Sequence, residues 1–600
     1  MTVYRRDIDG LRGISILLVL FFHAKIPFFS GGYFGVDIFF VISGFLITSI
    51  ILKLNSKNKF SIIYFYERRV RRIIPALYVV LFFLCAYSIF FQSPYFSKDL
   101  SQSIFFTPLF LQNFFNIYEQ AQYFSLSYDF KSLGHTWSLS IEEQFYFFYP
   151  LFFLVLIKLT KNNLKYFLLI IFLLSLFYYL YLGMDSNISR LIFFFSPARI
   201  WEILAGCLIS INFSKIKKSK SLNIFGLSLI FFCMFFQEIF EGSHYLRIFV
   251  VVGTSIILIN TFDHNKCLIV KILSNTYLVY LGLISYSLYL WHVPIFSIYR
   301  DFFTFKLNLY EIIILIILSI LVSYISYKYI ETPFRKNKKI SKKFIFYFFF
   351  GGIVFFTSFG YFGHSYDGFE NFKINKLSEK RKKFYISFLD ERKKIEDFKI
   401  NTTNKDFYKI LVIGDSLASD VVNSLKTQNV YSERLNINGP CFDKLIKNKY
   451  SCNIKLKNVL KKASDFEIVI IATDFGNENS EKGGIKLYNF LIQNKIKTKI
   501  VGGLNFKYVS SSSYRFARYN FYKDYKNFYF KNVQPNIYKI NQYISTEAGD
   551  NFIDKFKAFC DYKKKECSIY NKYFTPLFYD TKHLTVEGYK HFGKYLMKKL

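Results

Sequence analysis

Acidic side chains are scarce in this sequence: 42 Asp and Glu stand against 78 Lys and Arg, which leaves a formal net charge of +36 over 600 residues. In a soluble protein that excess would indicate nucleic-acid binding. Here the basic residues form short runs beside apolar segments, such as KIKKSK at 215–220 and FRKNKKISKK at 334–343. Positive charge on the cytoplasmic side of membrane helices explains this placement more simply, so no nucleic-acid partner is predicted.

A cleavable signal sequence is not predicted either. The first apolar run begins at Gly13, with Arg12 before it and His23 at its end, and contains no small-residue cleavage site. Aromatic residues make up 21% of the chain and its mean hydropathy is positive, which is too apolar for one soluble domain.

Eleven segments are predicted to span a membrane, because a spanning helix needs about 20 mostly apolar residues. They begin near residues 13, 34, 74, 139, 165, 190, 222, 246, 276, 309 and 344. Alternate loops are basic, which places the N-terminus in the cytoplasm, and an odd number of spans places residues 363–600 outside it. The shorter segment 101–115 is predicted to be a re-entrant or surface piece.

The C-terminal part has a different pattern. Residues 363–406 are polar and suit a linker or extension. Short apolar runs then alternate with helical stretches, as in KILVIG at 409–414, FEIVIIAT at 466–473 and KTKIVGGL at 497–504. Such strands predict a parallel sheet covered on both faces, hence an α/β domain over 407–600 after a membrane domain over 1–340 and a linking helix over 341–362.

Neither cysteine pair in this domain has CxxC spacing or a histidine at ligand spacing, which disfavours a metal site, and no metal is predicted. The pairs are Cys441 with Cys452 and Cys560 with Cys567. Two disulfides are predicted, since the domain is placed in an oxidising compartment.

A candidate catalytic set lies at the two ends of this domain. KILVIGDSLASD at 409–420 predicts a strand, a tight turn and a helix, which would hold Ser416 at the sheet edge. YDTKHLTVEGYKHFG at 579–593 supplies Asp580 and His583. His583 would act as general base toward Ser416, with Asp580 orienting its ring; the alternative is a surface loop with a solvated histidine.

GDS early and DxxH late resemble the SGNH (GDSL-like) hydrolase family over about 407–600. The resemblance implies a flavodoxin-like three-layer α/β fold. The family's G-x-N block has no clear counterpart here, and Gly439 in NINGPCF and Asn477 in ATDFGNENS are the candidates for the oxyanion hole. The two cysteine pairs also resemble those of periplasmic members fused to membrane acyltransferases.

Ionisable residues within the apolar segments are functional candidates, because charge inside a membrane is costly. Arg12 and His23 are eleven residues apart, about three helical turns. Arg69 and Arg72 share a helix face and could grip phosphates, although positive-inside residues that reach the interface are the alternative. The further candidates are Asp37, Arg68, Trp137, Glu142, Tyr146 and Arg199.

In order, these motifs resemble the acyltransferase-3 family of integral membrane acyltransferases over about 5–340. Its R-x10-H pair corresponds to Arg12 and His23, and its RxxR motif to Arg69 and Arg72. The resemblance implies acetyl-CoA as the cytoplasmic acyl donor. Catalytic roles are expected for Arg12, His23, Asp37 and Glu142, and donor-binding roles for Arg68, Arg69, Arg72, Trp137, Tyr146 and Arg199.

The predicted function is O-acetylation of a cell-surface glycan or its lipid-linked precursor by a multi-pass protein of the bacterial inner membrane. The acceptors considered are lipopolysaccharide O-antigen, another surface polysaccharide and peptidoglycan. One alternative is a polysaccharide transporter with a soluble cap, which the lack of an internal repeat disfavours. The other is a membrane-tethered esterase, for which eleven spans are far more than an anchor needs.

Overall fold

The chain divides into two units, Met1–Phe369 and Glu370–Leu600, each with its own core. A computed structural model describes the chain except for residues 1–3, 121–127, 161–163, 185–188, 213–219, 238–244, 261–267, 303–306, 338, 397–408, 438–455, 475–477, 507–529, 531–532, 574 and 579–581.

The described residues of the first unit form helices and the loops that connect them, with no strand among them. Its α-helices are, in chain order, α1 (Arg6–His23), α2 (Gly35–Asn55), α3 (Ile62–Phe90), α4 (Pro94–Phe106), α5 (Gln112–Gln120), α6 (Trp137–Thr160), α7 (Leu164–Gly183), α8 (Ser189–Phe194), α9 (Ile200–Asn212), α10 (Lys220–Phe236), α11 (Leu246–Asn260), α12 (Leu268–Leu273), α13 (Thr276–Phe302), α14 (Leu309–Ser326), α15 (Thr332–Lys336) and α16 (Lys342–Ser365). Short 3-10 helices lie at Ser30–Phe34, Tyr128–Phe130, Gly134–Thr136 and Ser196–Ala198, and a π-helix at Tyr327–Glu331.

A helix lies at each of the eleven predicted spans. Within the described residues, seven helical segments are long and apolar enough to cross a membrane: Ser30–Asn55, Ile62–Phe90, Gly134–Leu156, Leu164–Gly183, Thr276–Phe302, Leu309–Lys336 and Lys342–Ser365. Three more are apolar but shorter, at Ile200–Ile211, Leu222–Phe236 and Leu246–Asn260, and α1 has 18 residues. The count of eleven stays a prediction. The segment 101–115 falls on α4 and α5.

Glycines let two helix pairs of the first unit cross at close range. A Cβ atom on Gly282 of α13 would lie 1.8 Å from the backbone oxygen of Asp9 on α1. Likewise, a Cβ atom on Gly44 of α2 would lie 1.8 Å from the backbone oxygen of Ile203 on α9. Small residues permit such close backbone approach between membrane helices, and these crossings determine which polar side chains meet.

The second unit contains a parallel sheet of five strands. The strands are β1 (Ile410–Gly414), β2 (Ser432–Asn436), β3 (Ile468–Ile471), β4 (Thr498–Val501) and β5 (Phe552–Ile553), and their order is β2-β1-β3-β4-β5. This is the flavodoxin-like order, in which sites lie at the carboxyl ends of the strands where the order reverses, beside β1. The predicted α/β fold is confirmed.

Helices cover the sheet on both faces. They are α17 (Glu370–Asn375), α18 (Glu379–Glu396), α19 (Ser416–Lys426), α20 (Leu456–Ala463), α21 (Glu478–Gln493), α22 (Pro535–Ala548), α23 (Lys555–Phe559) and α24 (Val586–Met597). Ile410 and Val412 of β1 belong to one hydrophobic cluster, and Leu411 and Ile413 belong to another. Alternate side chains of a strand point to opposite faces, so both faces are buried, as the apolar run KILVIG predicts.

Two features flank this sheet. Helices α17 and α18 fall in 363–406, which we predicted to be a linker or extension; their Ile374 and Tyr385 are buried in one of the sheet's clusters. A disulfide joins Cys560 and Cys567 across the short antiparallel pair β6 (Cys560–Asp561) and β7 (Glu566–Cys567). The other predicted pair, Cys441 and Cys452, lies outside the described residues.

Candidate active sites

Ser416 is the first residue of α19, directly after β1 and its Gly-Asp turn. Only glycine fits at position 414, because a Cβ atom there would lie 1.7 Å from the backbone oxygen of Ala472. The close approach of these backbones lets the chain turn sharply from strand to helix. The serine hydroxyl therefore lies at the carboxyl end of the sheet and at a helix N-terminus, where backbone N–H groups favour negative charge.

Asp415 holds this turn in place. Its Oδ1 atom accepts a hydrogen bond from Leu417 N at 3.0 Å, which caps α19. Its Oδ2 atom accepts from Thr473 Oγ1 at 2.7 Å and from Asp474 N at 2.8 Å, which ties the turn to the loop after β3. Asp474 in turn forms an ion pair with Lys582 at 2.5 Å.

His583 meets the serine from the other end of the domain. Its Nε2 atom lies 2.9 Å from Ser416 Oγ, and the residue is 4% exposed. That distance is within the range in which a general base removes a hydroxyl proton. Asp580, Gly439 and Asn477, the other predicted members of this site, lie outside the described residues.

The first unit has a cavity of about 160 Å³ lined by α1, α2, α3, α6 and α13. Five predicted residues line it: Arg12, Arg69, Arg72, Glu142 and Tyr146. Glu143 lines it too, and its Oε1 atom is buried without a hydrogen-bond partner among the described residues. Three guanidinium groups and two carboxyl groups therefore line one cavity between apolar helices, which makes it a candidate site for an anionic ligand.

The cavity side chains contact one another. Arg12 donates to Asp9 Oδ1 and to Ser285 Oγ, both at 2.9 Å, which aims its side chain between α1 and α13. The Arg69 guanidinium carbon lies 4.3 Å from the ring centre of Tyr146, a cation-π contact. Tyr146 also donates to Glu142 Oε1 at 3.3 Å.

His23 does not line the cavity, and it meets a second histidine instead. Its Nδ1 atom lies 3.3 Å from His292 Nε2 and 2.9 Å from the backbone oxygen of Val19. A third histidine, His135, has its ring centre 5.3 Å from that of His292 and 5.0 Å from that of Tyr289. Tyr289 lines the cavity, so this histidine cluster (His23, His135 and His292) borders the cavity wall.

Sequence reasoning missed His135 and His292. His135 stands in HTWSLSIEEQ, from which only Trp137 and Glu142 were predicted as site residues, and His292 stands in ISYSLYLWHVP, from which none was predicted. A signal was available, because the chain has only eight histidines and these two lie in or beside apolar helices. His135 is 2% exposed, and neither of its ring nitrogens has a hydrogen-bond partner among the described residues.

Four other predicted residues are placed away from the cavity. Asp37 and Arg199 form a buried ion pair at 2.5 Å, each side chain 1% exposed. Glu202 and Arg247 complete a network with equal numbers of acids and bases. The network of Asp37, Arg199, Glu202 and Arg247 joins α2 to α9 and α11.

Trp137 packs over the Arg199 guanidinium, with its ring centre 5.2 Å from the guanidinium carbon. Arg68 is exposed, beside Tyr64. Donor contacts for Arg68, Trp137 and Arg199 stay predictions.

The chain matches two family models. One, described as an acyltransferase domain, covers residues 5–328, which is more than half of the chain. The chain belongs to this acyltransferase family. The other, described as an SGNH domain fused to such acyltransferase domains, covers residues 388–598. Both resemblances inferred from the motifs are thereby confirmed. The family and the seven long apolar helices indicate a multi-pass membrane protein.

Two relatives are named as O-acetyltransferases. The acyltransferase is 34% identical over 353 residues to the peptidoglycan O-acetyltransferase OatA of Listeria monocytogenes. It is 31% identical over 356 residues to the O-acetyltransferase OatA of Staphylococcus aureus. The matched part is 56% of this chain, and the chain spans 56% and 58% of the length of these relatives. No solved structure matches the chain.

Proposed function

We propose that this acyltransferase is an O-acetyltransferase that moves an acetyl group from cytoplasmic acetyl-CoA across the membrane to Ser416, and from there to hydroxyls of a cell-surface glycan. The observation that carries the proposal is the 2.9 Å contact between Ser416 Oγ and His583 Nε2 in a domain fused to a membrane acyltransferase. A serine and a base at this distance form the minimal pair for covalent acyl transfer.

The cavity of the first unit is the proposed donor site. Arg12, Arg69 and Arg72 face it, and arginine is well suited to phosphate because its planar donors match the phosphate oxygens. A volume of about 160 Å³ is below the usual size of a pocket that encloses a whole drug-sized ligand. The cavity is therefore assigned to the acyl-bearing arm of the donor, with the arginines near its phosphates.

His23 is proposed to act on the acetyl group beyond the cavity. Arg12 and His23 lie on the same helix, eleven residues and so about 16 Å apart along its axis. That separation places the phosphate-binding end and the histidine cluster at different depths of the bundle. Acetyl-CoA cannot cross a bilayer, so a base or relay at a different depth would let the acetyl group alone pass outward.

At the second site, Ser416 is the proposed nucleophile. Its Oγ atom attacks the carbonyl carbon of the acetyl group, and its proton moves to His583 Nε2. The bond between that carbon and the donor atom breaks, the donor leaves with the proton, and an acetyl ester remains on Ser416. A sugar hydroxyl then attacks the ester, His583 takes the hydroxyl proton, and Ser416 Oγ leaves and regains a proton from His583.

The acceptor is proposed to be a cell-envelope glycan outside the cytoplasmic membrane. Every second loop between the predicted spans is basic, which favours a cytoplasmic N-terminus and an extracytoplasmic SGNH domain. Among the glycans considered, peptidoglycan is favoured because the Listeria relative is named a peptidoglycan O-acetyltransferase. Lipopolysaccharide O-antigen and other surface polysaccharides are the remaining candidates.

The test is to express the full chain in a bacterium that lacks its own glycan acetylation and to measure base-labile acetate on isolated glycans. Wild type should add acetate, Ser416→Ala should add none, and Ser464→Ala, which changes an exposed serine of the same unit, should behave as wild type. Equal acetate with wild type and Ser416→Ala would contradict the proposal. Loss of acetate on expression in a second host, which does acetylate its own glycan, would instead indicate the esterase alternative.

A further inference from the structure

Asp420 and Lys555 form a buried ion pair in the second unit. They are 2% and 3% exposed, and the Nζ atom of Lys555 lies 3.7 Å from Asp420 Oδ2. Asp420 lies on α19, four residues after Ser416, and Lys555 is the first residue of α23. Charged side chains are rarely this buried unless something requires them, because removing two charges from water is costly.

The pair holds the backbone on both sides of His583. On one side, Leu584 N donates to Asp420 Oδ2 at 3.2 Å. On the other side, the Lys555 ammonium donates to the backbone oxygen of Lys582 at 3.1 Å. The residue before the histidine and the residue after it are thus attached to the same two side chains.

Asp420 also ties the histidine loop to the serine. Residues four apart on a helix lie on the same face, so Ser416 and Asp420 face the same side of α19. The helix that presents the serine hydroxyl therefore also anchors Leu584, the neighbour of its proposed base. A shift of α19 would therefore move Ser416 and the backbone next to His583 together.

We infer that the Asp420–Lys555 pair is a positioning device that sets the distance between Ser416 Oγ and His583 Nε2. This inference rests on the proposed function, in which His583 activates Ser416. Apolar residues of similar size often support a fold as well as a buried ion pair does, so stability alone gives no reason for charges here. One charge-assisted hydrogen bond on each side of His583 explains the buried charges, because they would hold the histidine in place. Displacing a catalytic group by about 1 Å can lower the reaction rate about a hundredfold.

The experiment measures how fast a serine-directed fluorophosphonate probe labels Ser416 in the full chain, in native membranes. Asp420→Ala and Lys555→Met should each lower the labelling rate about tenfold to a hundredfold at an equal amount of folded protein. Asp420→Asn keeps an oxygen that can accept from Leu584 N and should recover part of the rate. The double variant should be no slower than the slower single variant, since both act through His583.

The matched control is Asn541→Leu. Asn541 is 4% exposed and also holds a backbone residue from both sides, donating to Gly503 O at 2.9 Å and accepting from Gly503 N at 2.8 Å. Its loss disturbs the same unit without touching His583, so its labelling rate should stay within twofold of wild type.

The outcomes separate the two proposals. Failure of the wild type to label, or unchanged labelling of Ser416→Ala, would overturn the serine chemistry and the positioning role with it. Normal wild-type labelling together with rates within twofold for Asp420→Ala and Lys555→Met would overturn the positioning role alone. An equal loss in Asn541→Leu would also overturn it, because a general disturbance of the fold would then explain the result.

Discussion

The Nδ1 atom of His23 lies 3.3 Å from the Nε2 atom of His292. Each histidine also places Nδ1 2.9 Å from a backbone oxygen four residues earlier, that of Val19 or of Leu288. A carbonyl oxygen can only accept, so both Nδ1 atoms carry a hydrogen when the rings are neutral. The single hydrogen on His23 Nδ1 is then shared between Val19 O and His292 Nε2. His23 Nε2 has no hydrogen-bond partner among the residues that the structure describes, and it carries a lone pair.

The first prediction concerns that lone pair. His23→Ala should abolish acetyl transfer to the glycan, because it removes the Nε2 atom that is proposed to act as the base or relay. The measurement is base-labile acetate on isolated glycan after expression of the full chain. His364→Ala, an exposed histidine at the end of α16, is the control and should leave the acetate unchanged. Normal acetylation by membrane-inserted His23→Ala would refute the membrane site.

The second prediction concerns His292. His292→Phe keeps a ring but removes the nitrogen that accepts from His23. The initial rate of transfer should fall at least about tenfold, because a positioned general base contributes about 10²–10⁴-fold and His292 helps to position this one. His292→Gln should retain more activity, since its amide oxygen can accept a hydrogen bond. The rates are measured in inside-out vesicles supplied with labelled acetyl-CoA. Equal rates for His292→Phe and His292→Gln would contradict the prediction, because only the side-chain volume at position 292 would then matter.

The third prediction concerns the donor site. Arg69→Ala should raise the apparent KM for acetyl-CoA by about tenfold or more, because a hydrogen bond to a charged group contributes about 1.5–3 kcal/mol. Arg68→Ala should have a smaller effect, since Arg68 is exposed beside Tyr64 and does not line the cavity. Arg335→Ala, which changes an exposed arginine outside the cavity, is the neutral control. An unchanged KM for Arg69→Ala would remove its assigned role.

The fourth prediction concerns the crossing of α1 and α13. Gly282→Ala should destabilise the first unit by about 1–3 kcal/mol, because its Cβ atom would overlap the backbone oxygen of Asp9. It should also lower transfer, since the crossing brings Arg12 to Ser285 and His23 to His292. Gly351→Ala is the matched control, because a Cβ atom on Gly351 meets nothing within 4 Å. Thermal unfolding in detergent gives the comparison, and equal midpoints would contradict the close crossing.

The fold was largely predictable from the sequence because its signals are local. Four consecutive apolar residues after Lys409 indicate a strand buried on both faces, and Gly414 indicates a sharp turn before Ser416. Apolar segments of about 20 residues likewise predict helices one at a time. The pairing of Ser416 with His583 was predictable because a strand-turn-helix motif and a late Asp/His motif together supply a serine–histidine–aspartate set, which also resembles a known family.

The partners of the buried charges could not be predicted. Asp37 and Arg199 were expected in a catalytic site and a donor site, and the structure pairs them with each other. That pairing depends on how α2 and α9 rotate and cross, which Gly44 permits but no local pattern specifies. The same holds for His292, which contacts both His23 and His135 because α13 packs against α1 and against the 3-10 helix Gly134–Thr136.

The central claim is that the acetyl group passes through Ser416 on its way from the membrane site to the glycan. The most direct test supplies labelled acetyl-CoA to inside-out vesicles and measures acetylation of the peptide that contains Ser416 by mass spectrometry. The account predicts an acetyl ester on Ser416 in wild type and none in His23→Ala. Donor-dependent glycan acetylation that persists in Ser416→Ala would contradict it.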